Sequence, residues 1–158
     1  MVSDSTPSVM RVYLDVCCLN RPYDDQTQDR IHLESEAVIS ILRHVELGEW
    51  TWVSSGVVDH EIGRTTDHER LERLRSLTPH ASEFVSLDAK IRDRAAEIQK
   101  RAGVKAYDAL HIACAERAEA DVFLSTDDKL VRAAKRHEAI MKVSIENPLT
   151  WLQATVCK

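Results

Sequence analysis

The sequence predicts an α/β protein, a three-layer α/β/α sandwich with a central, mainly parallel sheet. Short apolar segments of strand length alternate along the chain with longer segments of helical period, which is typical of this class. The 158 residues fit one domain, and 44% hydrophobic with 30% charged residues is an ordinary balance for a globular core.

The predicted strands are short apolar runs bounded by polar or turn residues, as expected for parallel strands that helices cover on both faces. The four clearest are Arg11–Asp15, Trp50–Ser54, Asp121–Ser125 and Ala139–Val143. A weaker fifth candidate is Glu83–Ser86.

The predicted helices lie between these strands and carry recognisable end signals. They are 30–47, 57–65, 67–77, 89–101, 107–118 and 127 to about 136. Gly48 and Gly103 follow two of them as C-terminal stops, and Asp88 precedes another as an N-cap. Strand and helix therefore alternate, which favours a parallel sheet.

The domain boundaries expected from composition are a flexible tail over 1–10, a single domain over 11–152 and a short tail over 153–158. The N-terminus has no basic segment followed by an apolar one, and no apolar run reaches membrane-spanning length. The four cysteines have no C-x-x-C spacing, which indicates reduced thiols. A cytoplasmic protein without membrane contact is expected.

The net charge of −5 argues against a broad basic surface for gripping duplex DNA. Four of the acidic residues belong to a proposed site, however, and without them the remainder is close to neutral. Local basic patches therefore remain compatible with the composition.

Four acids are placed where parallel strands end or just beyond. Asp15 closes the first strand, Glu61 follows the second, and Asp127 follows the strand at Asp121–Ser125. Asp108 lies in the first turn of the helix that leads into that last strand. The crevice at the carboxyl ends of parallel strands is where ligands bind. Asp15 has apolar neighbours on both sides, and an idle carboxylate there is costly to bury.

Converging carboxylates repel one another unless a cation enters. All-oxygen ligation suits Mg²⁺ or Mn²⁺, and such an ion activates water and neutralises charge on a phosphate. Asp15, Glu61, Asp108 and Asp127 are therefore the predicted metal ligands and catalytic residues. Taken singly, Asp108 and Asp127 could be N-caps and Glu61 a solvated helix residue.

Other acids and histidines have simpler interpretations. His60 and Glu61 begin a zinc-protease-like motif, but Arg64 stands where that motif needs its second histidine. We expect His111 to be a half-buried or surface histidine and Glu34 to be a surface charge. Asp128 could support the metal from behind its ligands, although a solvated first-turn acid is the simpler interpretation.

The polar loop at 20–30 has two interpretations. In one, Arg21 and Arg30 pair with nearby acids of the loop; in the other, Asn20 and Arg21 contact substrate. We favour pairing for the acids and keep Asn20 and Arg21 as candidate substrate contacts. The basic stretch from Arg64 to Arg75 could face a nucleic-acid backbone or form a salt-bridged surface with its interspersed glutamates.

Four segments resemble those of the PIN-domain family, in order and at similar separations: YLDVCCLNRP, VSSGVVDHE, YDALHIACA and FLSTDDKL. The resemblance extends from about Arg11 to Trp151. It implies an acidic, Mg²⁺- or Mn²⁺-dependent nuclease site built from Asp15, Glu61, Asp108 and Asp127. Ser125 resembles the hydroxyl position before the family's last aspartate, and we expect it to contact substrate.

The expected function is that of a metal-dependent endoribonuclease that hydrolyses single-stranded RNA. One possibility for such an enzyme is the toxin of a toxin–antitoxin pair. An antitoxin partner and a homodimer are expected with that form. The loop after Asn20 and the extra residues at both ends differ from compact toxin members. Two alternatives stay open: a catalytically weak RNA- or protein-binding module, and a DNA nuclease or phosphatase using the same pocket.

Overall fold

The computed structural model describes residues 9–156, which form one parallel five-stranded sheet flanked by helices. The strands are β1 (Met10–Leu14), β2 (Trp50–Ser55), β3 (Glu83–Val85), β4 (Val122–Leu124) and β5 (Ser144–Glu146). The helices are α1 (Val16–Asn20), α2 (Asp29–Glu46), α3 (Gly56–Gly63), α4 (His68–Leu77), α5 (Ala89–Ala102), α6 (Ala106–Arg117), α7 (Asp128–Arg136) and α8 (Pro148–Val156). The predicted α/β/α sandwich is confirmed.

The strand order is β3-β2-β1-β4-β5, and all neighbouring pairs are parallel. The chain builds outward from β1 to β3 and then returns to the other side of β1 to place β4 and β5. In such a sheet the crevice for ligands lies where the order reverses, at the carboxyl ends of β1 and β4. Val12, Tyr13 and Leu14 of the central strand are fully buried.

Local signals in the sequence determine several helix ends. The Asp88 side chain accepts a hydrogen bond from the Ile91 amide at 2.9 Å and caps α5, and Gly103 ends that helix with φ +70°. Only glycine adopts this left-handed conformation readily, so the predicted stop is confirmed.

The predicted strand at Ala139–Val143 is wrong. Residues Glu138–Ile140 form a 3₁₀ helix, and β5 begins only at Ser144. The stretch is held by side chains from the helices instead of by a strand: Arg94 donates to the Ile140 carbonyl at 2.5 Å, and the Lys142 amide donates to Glu116 at 2.9 Å. Ile140, Met141 and Val143 pack in or against the core without pairing in the sheet.

Helix α8 was not predicted and continues to Val156, so residues 153–156 are helical although a tail was expected there. Asn147 accepts from the Leu149 amide at 2.8 Å, and Trp151 is buried against the core. The boundaries of the domain at 11 and 152 remain a prediction. Residues 1–8 and 157–158, including Cys157, lie outside the described part of the chain.

Cys17, Cys18 and Cys114 are free thiols, as the sequence indicated. Among residues 9–156, no helix combines the length and the apolar character needed to cross a membrane.

Candidate active site

Asp15 lies at the carboxyl end of β1 and is 6% exposed. Its amide donates to the Leu124 carbonyl at 3.0 Å, which extends the pairing of β1 with β4 by one residue. Its Oδ2 accepts from the Ser125 hydroxyl at 2.8 Å. A nearly buried carboxylate is thus held at the switch point of the sheet, where the sequence predicted it.

Ser125 connects two of the predicted acids. Its hydroxyl also accepts from the Asp127 amide at 3.1 Å, and Asp127 in turn caps α7 by accepting from the amides of Lys129 and Leu130. Ser125 is fully buried. This burial favours a positioning role over the predicted substrate contact.

Glu61 lies on α3 and is 31% exposed at its side chain. Its Oε1 is 2.9 Å from Nε2 of His111, and the same nitrogen is 3.8 Å from Oδ1 of Asp15. The ligand atoms of these three residues all lie within 4.8 Å of one another. The structure therefore brings Asp15 and Glu61 together across 46 residues of sequence.

Asp108, in the first turn of α6, lies in the electrostatic field of the other acids. Burial, followed by repulsion from Asp15, Asp127 and Glu61, raises the pKa of Asp108 to about 6. In the described part of the chain, Asp108 and Asp127 do not belong to the 4.8 Å group, but both line one neighbouring cleft. The four acids thus share one edge of the sheet as two adjacent pairs.

His111 is fully buried, so the expectation of a half-buried or surface histidine is wrong. Its Nδ1 is 2.7 Å from the Tyr13 hydroxyl, which is 2.6 Å from the hydroxyl of Ser55, the N-cap of α3. Burial opposes the charged imidazole, but the bond to Glu61 and the charges of Asp15 and Glu61 raise the pKa of His111 overall. Its position one helical turn after Asp108 was the sequence signal for a shared location.

The donor set fits a hard divalent cation. A carboxylate only accepts, so His111 Nε2–H donates to Glu61 while Nδ1 faces Tyr13, and both ring nitrogens are engaged. The free ligand atoms are then carboxylate oxygens, which suit Mg²⁺ or Mn²⁺ better than zinc. Burial first, and then the charges of Asp15 and Asp127, raise the pKa of Asp108, and a bound cation would offset both effects.

The side chains of the loop after α1 are bonded within the loop and to α2 and α4. Arg21 donates to Glu34 and to Asp24, both at 3.0 Å, and Asn20 accepts from Arg70 at 3.3 Å. Glu34 is 1% exposed, so its expected role as a surface charge is wrong. The pairing of Arg21 with Asp24 is as predicted. The predicted pairing of Arg30 with an acid of the loop is wrong, since Arg30 pairs with Glu34 and Asp128. Substrate contacts by Asn20 and Arg21 stay a prediction.

Asp128 is engaged in a bidentate pair with Arg30, at 2.6 and 2.7 Å. The guanidinium lowers the pKa of Asp128. This pairing gives no support to a role for Asp128 behind the metal ligands.

The basic stretch of α3 and α4 divides between the two interpretations. Arg73 pairs with Glu69 at 2.7 Å, whereas Arg64 donates to the Tyr107 hydroxyl at 3.2 Å beside the acidic edge. The first contact belongs to an ordinary salt-bridged surface. The second places a guanidinium on Tyr107, the residue before Asp108 in α6.

Together, these features define a class of protein: an α/β/α domain with carboxylates suited to a divalent cation at the switch point of its parallel sheet. The chain belongs to the PIN domain family, which matches it over residues 12–136. The resemblance noted in the sequence is thereby confirmed. Proteins of this family are in general nucleases that use divalent metals.

One similar solved structure is the crystal structure of VapBC2 from Rickettsia felis bound to a DNA fragment from their promoter. The TM-score is 0.55 at 15% identity, and the match covers 87% of this chain and 98% of the other. At this identity the likeness supports the fold alone. No curated protein sequence matches the chain.

Proposed function

We propose that this protein is a divalent-metal-dependent endoribonuclease that hydrolyses phosphodiesters of single-stranded RNA. One observation carries the proposal: Asp15 and Glu61 converge beside Asp108, whose pKa their charge helps to raise. A divalent cation would relieve the repulsion among these carboxylates and would in turn bind the anionic phosphate of the substrate. Family membership supports the same chemistry.

Asp15 and Glu61 would hold Mg²⁺ or Mn²⁺, with Asp108 and Asp127 completing the acidic site. When bound, such an ion lowers the pKa of water and neutralises charge that develops on the phosphate. Ser125 fixes the carboxylate of Asp15 through its 2.8 Å hydrogen bond. His111 fixes Glu61 in the same way from the opposite side, at 2.9 Å.

The test is cleavage of labelled single-stranded RNA by purified protein with Mn²⁺ or Mg²⁺, with and without EDTA. Asp15→Asn should lower the rate by about a hundredfold or more, as loss of a charge-stabilising active-site group does. Asp59→Asn is the matched control, because Asp59 is an exposed acid on α3, the helix of Glu61. Equal rates for wild type and Asp15→Asn would overturn the proposed site.

Single-stranded DNA and a phosphomonoester belong in the same assay. Faster turnover of either would replace the endoribonuclease with the DNA nuclease or phosphatase alternative while leaving the site intact. Binding without turnover of any of the three would favour the catalytically weak binding module.

We further propose that the protein acts as a homodimeric toxin with an antitoxin partner in the cytoplasm. The likeness of its fold to VapBC2 from Rickettsia felis supports the antitoxin partner. Expression of the chain alone should arrest growth in an Asp15-dependent manner, and co-expression with the product of an adjacent small reading frame should restore it. Growth unaffected by the wild-type chain would argue for a nuclease outside such pairs.

A further inference from the structure

A cationic cleft adjoins the acidic site on the side of α7. It has a volume of about 310 Å³ and lies between α7 and the connection from α5 to α6. Asp108 and Asp127 form its acidic end. Its cationic lining residues are Lys105, Lys129, Arg132 and Arg136.

Three of the cations share one face of α7. Lys129, Arg132 and Arg136 follow the spacing i, i+3, i+7 and are exposed, whereas Leu130 and Ala133 beside them are buried. This spacing extends the charges over roughly 10 Å along the helix axis. Lys105 faces them from the opposite wall.

These four side chains are unpaired within the described part of the chain. Within residues 9–156, none of them forms an ion pair or a side-chain hydrogen bond, unlike Arg21, Arg30 and Arg94. The charge of Arg132 helps to lower the pKa of the nearby Asp128. Both carboxylate oxygens of Asp128 are bonded to Arg30, however, so Arg132 itself is not paired with this acid. Four cations against two lining acids leave the cleft with unbalanced positive charge.

We infer that this cleft binds successive phosphates of the single strand on one side of the scissile bond, which rests on the proposed function. A row of charges about 10 Å long matches a polyanion better than a single anion. Arginine and lysine are the side chains that bind backbone phosphates without reading sequence. An acidic peptide has the same charge, but the cleft opens onto Asp108 and Asp127, where a phosphodiester is the proposed reactant.

The test compares Lys129→Gln/Arg132→Gln/Arg136→Gln with a matched variant, Lys90→Gln/Arg92→Gln/Lys135→Gln. The control removes three exposed cations that lie outside the cleft. Both are placed in the Asp15→Asn background with Mg²⁺, so that a mixed-sequence single-stranded RNA binds without being cut. Its Kd is measured over a series of salt concentrations.

The cleft variant should bind about tenfold more weakly at low salt. The plot of the logarithm of the association constant against the logarithm of the salt concentration should become less steep by about 2, since each of three lost phosphate contacts to a single strand contributes about 0.7. The control should keep both values close to those of the background. Equal Kd and slope for the two triple variants would overturn the inference. Poly-glutamate is titrated against the same variants, and a cleft variant that loses poly-glutamate binding but keeps RNA binding would also overturn it. If neither the Asp15→Asn variant nor the wild-type protein binds RNA, the result would instead count against the proposed function.

Discussion

His111 shows how a buried polar residue can serve a site without touching the reactant. Its ring lies between Glu61 and Tyr13, and both nitrogens are occupied within 2.9 Å. Glu61 is accordingly limited in the positions that its carboxylate can take. Groups of this kind behind metal ligands typically contribute ten- to a hundredfold to metal affinity or activity.

Tyr13→Phe should weaken Mn²⁺ binding by about tenfold, because it removes the hydroxyl that orients His111 while keeping the aromatic packing. His111→Gln should retain more affinity than His111→Leu, since glutamine can still donate to Glu61. Calorimetric titration of Mn²⁺ measures these affinities independently of catalysis. Equal affinity in Tyr13→Phe and wild type, with unfolding transitions alike, would contradict a positioning role for His111.

Asp108 provides a prediction about pH. Folding raises the pKa of Asp108 from the ordinary value of 3.8 to about 6, so ionisation of this carboxyl destabilises the folded protein. The contribution of the protonated Asp108 to the free energy of unfolding is fully present below about pH 4 and is lost as the pH rises through about 6. In EDTA, Asp108→Asn should therefore stabilise the protein by about 2 kcal/mol near pH 7.5 and by far less near pH 4; a shift of this size corresponds to about 3 kcal/mol, which solvent screening of the partly exposed side chain reduces. Urea unfolding at the two pH values measures the difference, and an equal effect at both would contradict the shift.

At the scale of elements, α3 connects the site to the sheet. Its N-cap Ser55 accepts from the Val58 amide at 3.3 Å and also contacts the Tyr13 hydroxyl, so the same side chain begins the helix and ends the chain of hydrogen bonds to Glu61. The neighbouring Ser54 is equally buried, and its hydroxyl has no partner within the described residues.

Ser55→Ala should lower the free energy of unfolding by about 1 kcal/mol or more, because it removes a helix cap and leaves Tyr13 short of a partner. Ser54→Ala removes the same atom and should be nearly neutral. Urea unfolding of the two variants tests the contrast. A larger loss for Ser54→Ala would show that the cap does not hold α3.

Local patterns predicted the elements with strong internal signals, such as α5 between Asp88 and Gly103. They failed where tertiary contacts decide the outcome. The apolar run at Ala139–Val143 looks like a strand, but Arg94 and Glu116 hold it as a connection. Helix α1 has only five residues and shows no clear period. Helix α8 carries a local start signal, Asn147 followed by Pro148, that the pattern of apolar residues alone did not bring out.

The residues of the site also differ in whether local sequence or tertiary contacts determine their surroundings. Asp15 could be predicted, because an acid at the end of an apolar strand stands out in the sequence. The burial of His111 and Glu34 could not, since it depends on Tyr13, Arg21 and Asn147 from distant parts of the chain. The unpaired cations of α7 also needed the structure, because pairing is a property of three-dimensional neighbours.

At the scale of the whole molecule, metal binding should be visible in stability. A ligand that binds only the folded state raises stability with concentration, by about 2.7 kcal/mol at a hundredfold excess over Kd. Wild-type Tm should therefore rise with Mn²⁺ and fall back with EDTA, and Asp15→Asn should lose most of the response. Calorimetric scans with Ca²⁺ as a further cation measure the effect. A Tm rise of the same size in Asp15→Asn would show that the ion binds elsewhere.

The central position of β1 also bears on how the protein is made. Asp15 reaches its hydrogen-bond partner Ser125 across 110 residues, and β1 gains its second neighbour only when β4 has been synthesised. A nascent chain that has left the ribosome as far as β3 carries Asp15 and Glu61 but lacks Asp108, Asp127 and the strand that holds the first acid in place. Closing so long a loop is slow and comes late in folding. The acidic site should accordingly be complete only when translation of the chain is nearly finished.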